Sequence, residues 1–104
     1  MAVSDSIIRM VEDNLHITYE PDESTLRRIE NETESGIRFI QRFCDPSATC
    51  EPGTKFAAML TEYVLRAEAG ALETFEQDYA RDIRVGRIET EVADFAEALG
   101  YAEA

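Results

Sequence analysis

Apolar residues recur every three or four positions along most of the chain, and no stretch alternates apolar with polar residues over the length of a strand. Helices are therefore the expected element throughout. The first starts at Ser4, whose hydroxyl suits a helix N-cap, and runs to about Asn14. Ile7, Val11 and Leu15 form its stripe, widened by Ile8 and Met10. His16-Ile17-Thr18-Tyr19 reads as a short extended stretch, and Pro21 disfavours helix at Glu20. Asp22 is the cap of a second helix from Glu23 to Phe43. Its stripe is Leu26, Ile29, Thr33, Ile37, Ile40 and Cys44. Gly36 lies at the edge of that stripe. A helix-interior glycine costs roughly 1 kcal/mol against alanine, which a close helix–helix approach would offset. Glu23–Arg27 and Glu34–Arg38 have the favourable i,i+4 order on the outer face.

Asp45 to Gly53 is a loop punctuated by two prolines and a glycine, and Pro52 is placed to open a third helix. From Thr54 the helical pattern is long. Phe56, Leu60, Tyr63, Val64 and Ala67 make one stripe, and Leu72, Phe75, Tyr79 and Ile83 continue it beyond Gly70. One helix bent at Gly70 and two helices meeting there both satisfy the spacing. Gly86 marks a second weak point. Ile88, Val92, Phe95 and Leu99 then line a last amphipathic stretch, with Gly100 as its stop. The expected fold is all-α: four to five helices, with a long C-terminal segment bent or broken near Gly70 and Gly86. Residues 1–84 form the helical domain and residues 85–104 an amphipathic arm.

A chain of 104 residues suits one domain, and its 44% hydrophobic share suits a modest core. The net charge changes the functional picture more. At −12 the surface repels polyanions, so specific nucleic-acid binding and attachment to anionic membrane are both disfavoured. No apolar run approaches a membrane span, and residues 1–17 lack a signal-peptide apolar region. Of the ten bases nine are arginine, which favours planar contacts with carboxylates.

Candidate chemistry is sparse. His16 is the single imidazole, and no nucleophile motif surrounds it. Cys44 and Cys50 read as two packed thiols at a helix end and its loop, too few ligands for a metal site. Glu51-Pro52-Gly53-Thr54-Lys55 lacks the spacing of a phosphate-binding loop. Neither catalytic activity, metal nor cofactor is expected.

Two features point instead to association. Arg81, Arg84 and Arg87 lie three residues apart on an otherwise acidic chain, able to register neighbouring copies or to pair within the helix, for example Asp78 with Arg81. Ile88, Val92, Phe95 and Leu99 require an apolar surface, either the chain's own core or another subunit. These seven residues, the three arginines and the four apolar positions, are the candidate subunit interface.

The order of elements carries a resemblance. Leu15-His16-Ile17 ends a short helix before Pro21-Asp22-Glu23, and the second helix presents Leu26, Ile29, Gly36, Ile37 and Ile40. Glu51-Pro52-Gly53-Thr54 then leads to Leu60, Tyr63, Val64 and Ala67, followed by Gly70-Ala71-Leu72-Glu73, Phe75 and Tyr79. Over about residues 5–83 this resembles the small helical head–tail connector, or DNA-packaging adaptor, proteins of tailed bacteriophages and prophages. Cys44, Cys50 and the Ile88–Leu99 stretch lie outside the resemblance. It implies a structural subunit that self-associates into a ring, contacts portal and tail-completion proteins, and lets DNA pass. It also implies residence in the host cytoplasm and then at the head–tail junction of the virion. A competing reading of the same charge is an acidic regulatory protein or DNA mimic that binds a basic partner.

Overall fold

The computed structural model describes residues 3–98, which form five helices: α1 (Asp5–Asn14), α2 (Glu23–Phe43), α3 (Ala57–Glu68), α4 (Leu72–Asp78) and α5 (Ala80–Ala98). The all-α bundle expected from periodicity is the observed fold, with no strand among the described residues.

The start of α1 is fixed twice. Ser4 Oγ accepts from the Ile7 N–H at 3.3 Å. The Ser4 and Ser6 hydroxyls both donate to the Glu51 carboxylate at 2.7 Å, which ties the loop after α2 to the beginning of the chain. Those two bonds hold the Glu51 carboxyl below its ordinary range. At the other end His16 has φ 60°. Its N–H bonds back to the Asp13 carbonyl, and the Ile17 N–H bonds to that of Glu12. This is a Schellman cap with histidine where glycine is usual.

α2 begins where expected, with Asp22 accepting from the Thr25 N–H at 2.8 Å. It buries Ile29, Thr33, Gly36, Ile37 and Ile40 along α3. The Thr33 hydroxyl is satisfied internally by donating to the Ile29 carbonyl at 2.7 Å. The contact at Gly36 is very close: a Cβ there would lie 2.7 Å from Leu60 Cδ1 and 2.8 Å from Tyr63 Cδ1. The glycine exists to let α3 approach.

α3 does not open at Pro52. Residues 51–54 form a β-turn closed by the Thr54 N–H to the Glu51 carbonyl, with Gly53 at φ 85°, outside helical space. The helix starts at Ala57. It ends at Glu68, and Gly70 just beyond takes the left-handed position of the cap at φ 68°, with the Ala71 N–H reaching the Arg66 carbonyl at 2.8 Å. Gly70 therefore separates two helices. The next interruption falls at Tyr79, whereas α5 runs through Gly86 unbroken.

The core joins α1 to α4. Val11, Ile29, Ile40, Leu60, Val64 and Phe75 are fully buried. Phe75 is its aromatic centre: Tyr63 and Phe39 meet its ring edge-on at 5.3 and 5.8 Å, and Tyr79 stacks on it at 4.8 Å. Across the surface, Arg28 forks onto Glu68 with two bonds of 3.0 Å, and Arg66 binds Glu62, Thr74 and Asp78. The molecule is elongated, 50 × 28 × 20 Å. Its radius of gyration is 15.2 Å, against ~13 Å for a compact domain of this length.

Candidate subunit interface

At about 100° per residue, α5 carries two stripes on opposite sides. Its inward side continues from Tyr79 through Ile83, Gly86 and Thr90. Tyr79 and Ile83 pack on the core. A Cβ on Gly86 would lie 3.1 Å from the edge of the Phe56 ring, so this glycine permits contact within the helix instead of breaking it. The Thr90 hydroxyl donates to the Gly86 carbonyl at 2.9 Å. Lys55 reaches Glu89 from the loop before α3 and holds the flank.

The opposite side holds Arg81, Arg84, Val85, Ile88, Val92 and Phe95. Its apolar members are open to solvent: Val85 is 43% exposed, Ile88 52%, Val92 61% and Phe95 67%. The sequence-predicted stripe is therefore not sealed within this chain's own core. Leu99, the fourth residue of that stripe, lies outside the described residues. Covering what remains exposed of each large side chain on this face would contribute roughly half of the ~1.5–3 kcal/mol that complete burial of such a side chain provides.

The arginines divide. Steps of three residues rotate by about −60° around a helix. Arg81 and Arg84 thus share the apolar face, while Arg87 turns toward the flank and pairs with Glu91 at 3.4 Å. That pair is about two-thirds exposed on both sides and weak. Arg81 and Arg84 have no ion-pair partner among the described residues. Asp78, the acid expected to pair with Arg81, is engaged by Arg66 of α3 at 3.1 Å. Two unpaired guanidiniums therefore accompany the apolar row.

A second surface was not legible in the sequence. α1, the turn after it and the N-terminal half of α2 border a groove of about 620 Å³, with Ile8, Tyr19 and Leu26 at its apolar parts and Glu12, Glu20 and Glu30 around them. Tyr19 is 65% exposed there. Helical spacing assigns Leu26 to the buried stripe of α2, but it is only half-buried and opens on this groove. Tyr19 arrives through the chain reversal at His16, which no periodicity announces.

The remaining candidates are structural in their surroundings. Cys44 and Cys50 are free thiols, both buried. Burial pushes the Cys50 thiol up to about 11, which disfavours the reactive thiolate. His16 is exposed at the end of α1, where it serves as the cap. Glu32 and Glu68 form a carboxylate pair across the α2–α3 seam. Burial first, then the hydrogen bond to Glu68, pushes Glu32 up to about 7. No helix is long and apolar enough to cross a membrane among the described residues. No protein-family model matches the chain, and comparisons with curated proteins and with solved structures returned no match.

Proposed function

We propose that this chain is a structural subunit of a ring-shaped head–tail connector of a tailed bacteriophage or prophage, seated between portal and tail and passed by DNA. The order of helices and loops supports the reading through its resemblance to such adaptors. The observation that carries it is the outward face of α5, an apolar row beside Arg81 and Arg84, which have no ion-pair partner among the described residues, on a chain of net charge −12. An exposed apolar row of this kind is typical of a surface that meets another macromolecule. A strongly acidic subunit lining a channel repels the DNA phosphates, so DNA slides through without being held. A DNA mimic would instead present an acidic array as its principal exposed face. Although α5 as a whole holds five acids against three arginines, its outward face presents hydrocarbon with Arg81 and Arg84.

Native mass spectrometry of the purified protein, alone and mixed with a portal protein, tests this. The expected result is a ring or concentration-dependent oligomers, or a defined complex on the portal. Val92→Asp should weaken assembly while preserving the helical circular-dichroism signal. A solitary molecule under both conditions overturns the connector reading.

A further inference from the structure

We propose that the outward face of α5 docks into the α1–α2 groove of a second copy, joining subunits head to tail. The inference rests on the connector reading and names the two surfaces that reading leaves open.

The groove and the helix face are complementary in shape and sign. An amphipathic helix presents its apolar row to a groove with an apolar floor and a charged rim. The groove offers exposed Tyr19 and half-buried Leu26 above Ile8, which is itself buried, surrounded by Asp5, Glu12, Glu20 and Glu30 against the single Arg9. The helix offers Val85, Ile88, Val92 and Phe95, preceded by Arg81 and Arg84, which have no ion-pair partner among the described residues. Apolar surface meets apolar surface, and unpaired guanidiniums meet a rim in carboxylate excess.

The chain cannot fill its own groove in this fold. α5 packs at the C-terminal end of α2, beside Cys44, whereas the groove uses Leu26 and Glu30 near the other end. Leu26 and Cys44 are about 27 Å apart along the helix. α1 and α5 do not touch. The two surfaces therefore lie at opposite ends of one rigid helix. A contact between different faces of identical subunits is heterologous and closes into a ring when the rotation per subunit permits.

The test uses two variants that each damage one surface. Val92→Asp spoils the helix face and leaves the groove. Tyr19→Asp spoils the groove and leaves the helix face, at a position already exposed. Each should weaken self-association about 30-fold or more, read by sedimentation, with circular dichroism showing the fold retained. Mixed one to one, the variants retain a single sound junction per pair and should give dimers and nothing larger. Reversing Arg81 and Arg84 to Glu should weaken assembly about 10-fold at low salt. Adding Glu20→Arg and Glu30→Arg to that chain should restore it.

If Tyr19→Asp assembles as well as the natural protein while Val92→Asp does not, the helix meets another surface and the groove docking is overturned, with the connector reading intact. Failure of the charge reversal to be rescued overturns it equally. A natural protein that stays monomeric alone at high concentration overturns the docking. The connector reading falls only if that protein also fails to bind a portal protein.

Discussion

The α2–α3 seam and the outward face of α5 are built from the same pattern and have opposite fates. Ile29, Ile37 and Ile40 recur at helical spacing and are buried at 5% exposure or less, while Ile88, Val92 and Phe95 recur at the same spacing and are more than half exposed. What separates them lies on the facing element. Gly36 lets α3 come close enough for Leu60 and Tyr63 to cover the α2 stripe. The outer side of α5 has no such neighbour, because its inner side, through Ile83 and Gly86, has already taken the space against the body. A helix with two apolar sides can satisfy only one of them within a small bundle.

Deleting one aromatic ring from each region should separate the two most clearly. Phe75→Ala removes the fully buried centre of the aromatic cluster and should cost about 3–5 kcal/mol of folding stability. Phe95→Ala removes a ring of which two-thirds is exposed, and should change the stability of the isolated subunit by less than about 0.5 kcal/mol. Denaturant unfolding at concentrations low enough to keep the protein monomeric measures both. If Phe95→Ala destabilises the monomer as Phe75→Ala does, the face belongs to the core and the interface reading collapses.

The two helical glycines should differ in the same direction, by less. At Gly36 an added methyl group collides with Leu60 and Tyr63 below 3 Å, so Gly36→Ala should cost about 1–3 kcal/mol through overpacking. At Gly86 the neighbour is the edge of the Phe56 ring at 3.1 Å, which a small shift relieves. The improved helix propensity of alanine returns up to about 1 kcal/mol there, and Gly86→Ala should leave stability within about 1 kcal/mol of the natural protein. Thermal unfolding distinguishes the cases. Equal losses would mean that α5 packs as tightly as α3.

These glycines also mark where the sequence stops being legible. Periodicity and capping residues located α1 and α2 closely, because Ser4 and Asp22 act through bonds to neighbours three residues away. Gly70 and Gly86 look alike in the chain, yet one ends a helix with positive φ and the other sits inside one. Their difference is set by distant residues: Gly86 faces Phe56, thirty positions earlier. Pro52 opens no helix for a related reason: the Pro-Gly pair makes a turn that delays α3 to Ala57. The helix face of the candidate interface was readable as a stripe, but its exposure was not, because exposure depends on which side of α5 the body occupies. The groove was not readable at all. Tyr19, Ile8 and Leu26 are unremarkable in sequence and become one surface only when α1 folds beside α2.

The smallest effect probes the one polar intrusion in the seam. Glu32 faces Glu68 between α2 and α3, and its Oε1 is shielded with no hydrogen-bond donor. The bond from Glu32 first, then the Arg28 fork, keeps Glu68 below its ordinary range, so Glu32 is the member that holds the proton. Its carboxyl moves from 4.5 to about 7. Between those values the folded chain binds a proton that the unfolded chain has released, so this group's contribution to stability falls as pH rises from about 4.5 to about 7. Above that window Glu32 is charged beside Glu68 and the seam carries the full penalty. Glu32→Gln keeps a donor toward Glu68 and removes the titration. It should stabilise the protein at pH 8 by about 1 kcal/mol, allowing for solvent screening, and should leave stability nearly unchanged near pH 4.5. Denaturant midpoints at the two pH values measure the difference, and an equal gain at both would show that Glu32 is not the protonated partner. The body and α5 should then differ in kind: the α2–α3 seam should respond to pH through an internal carboxylate pair, whereas assembly through Arg81 and Arg84, on the docking proposed above, should respond to salt.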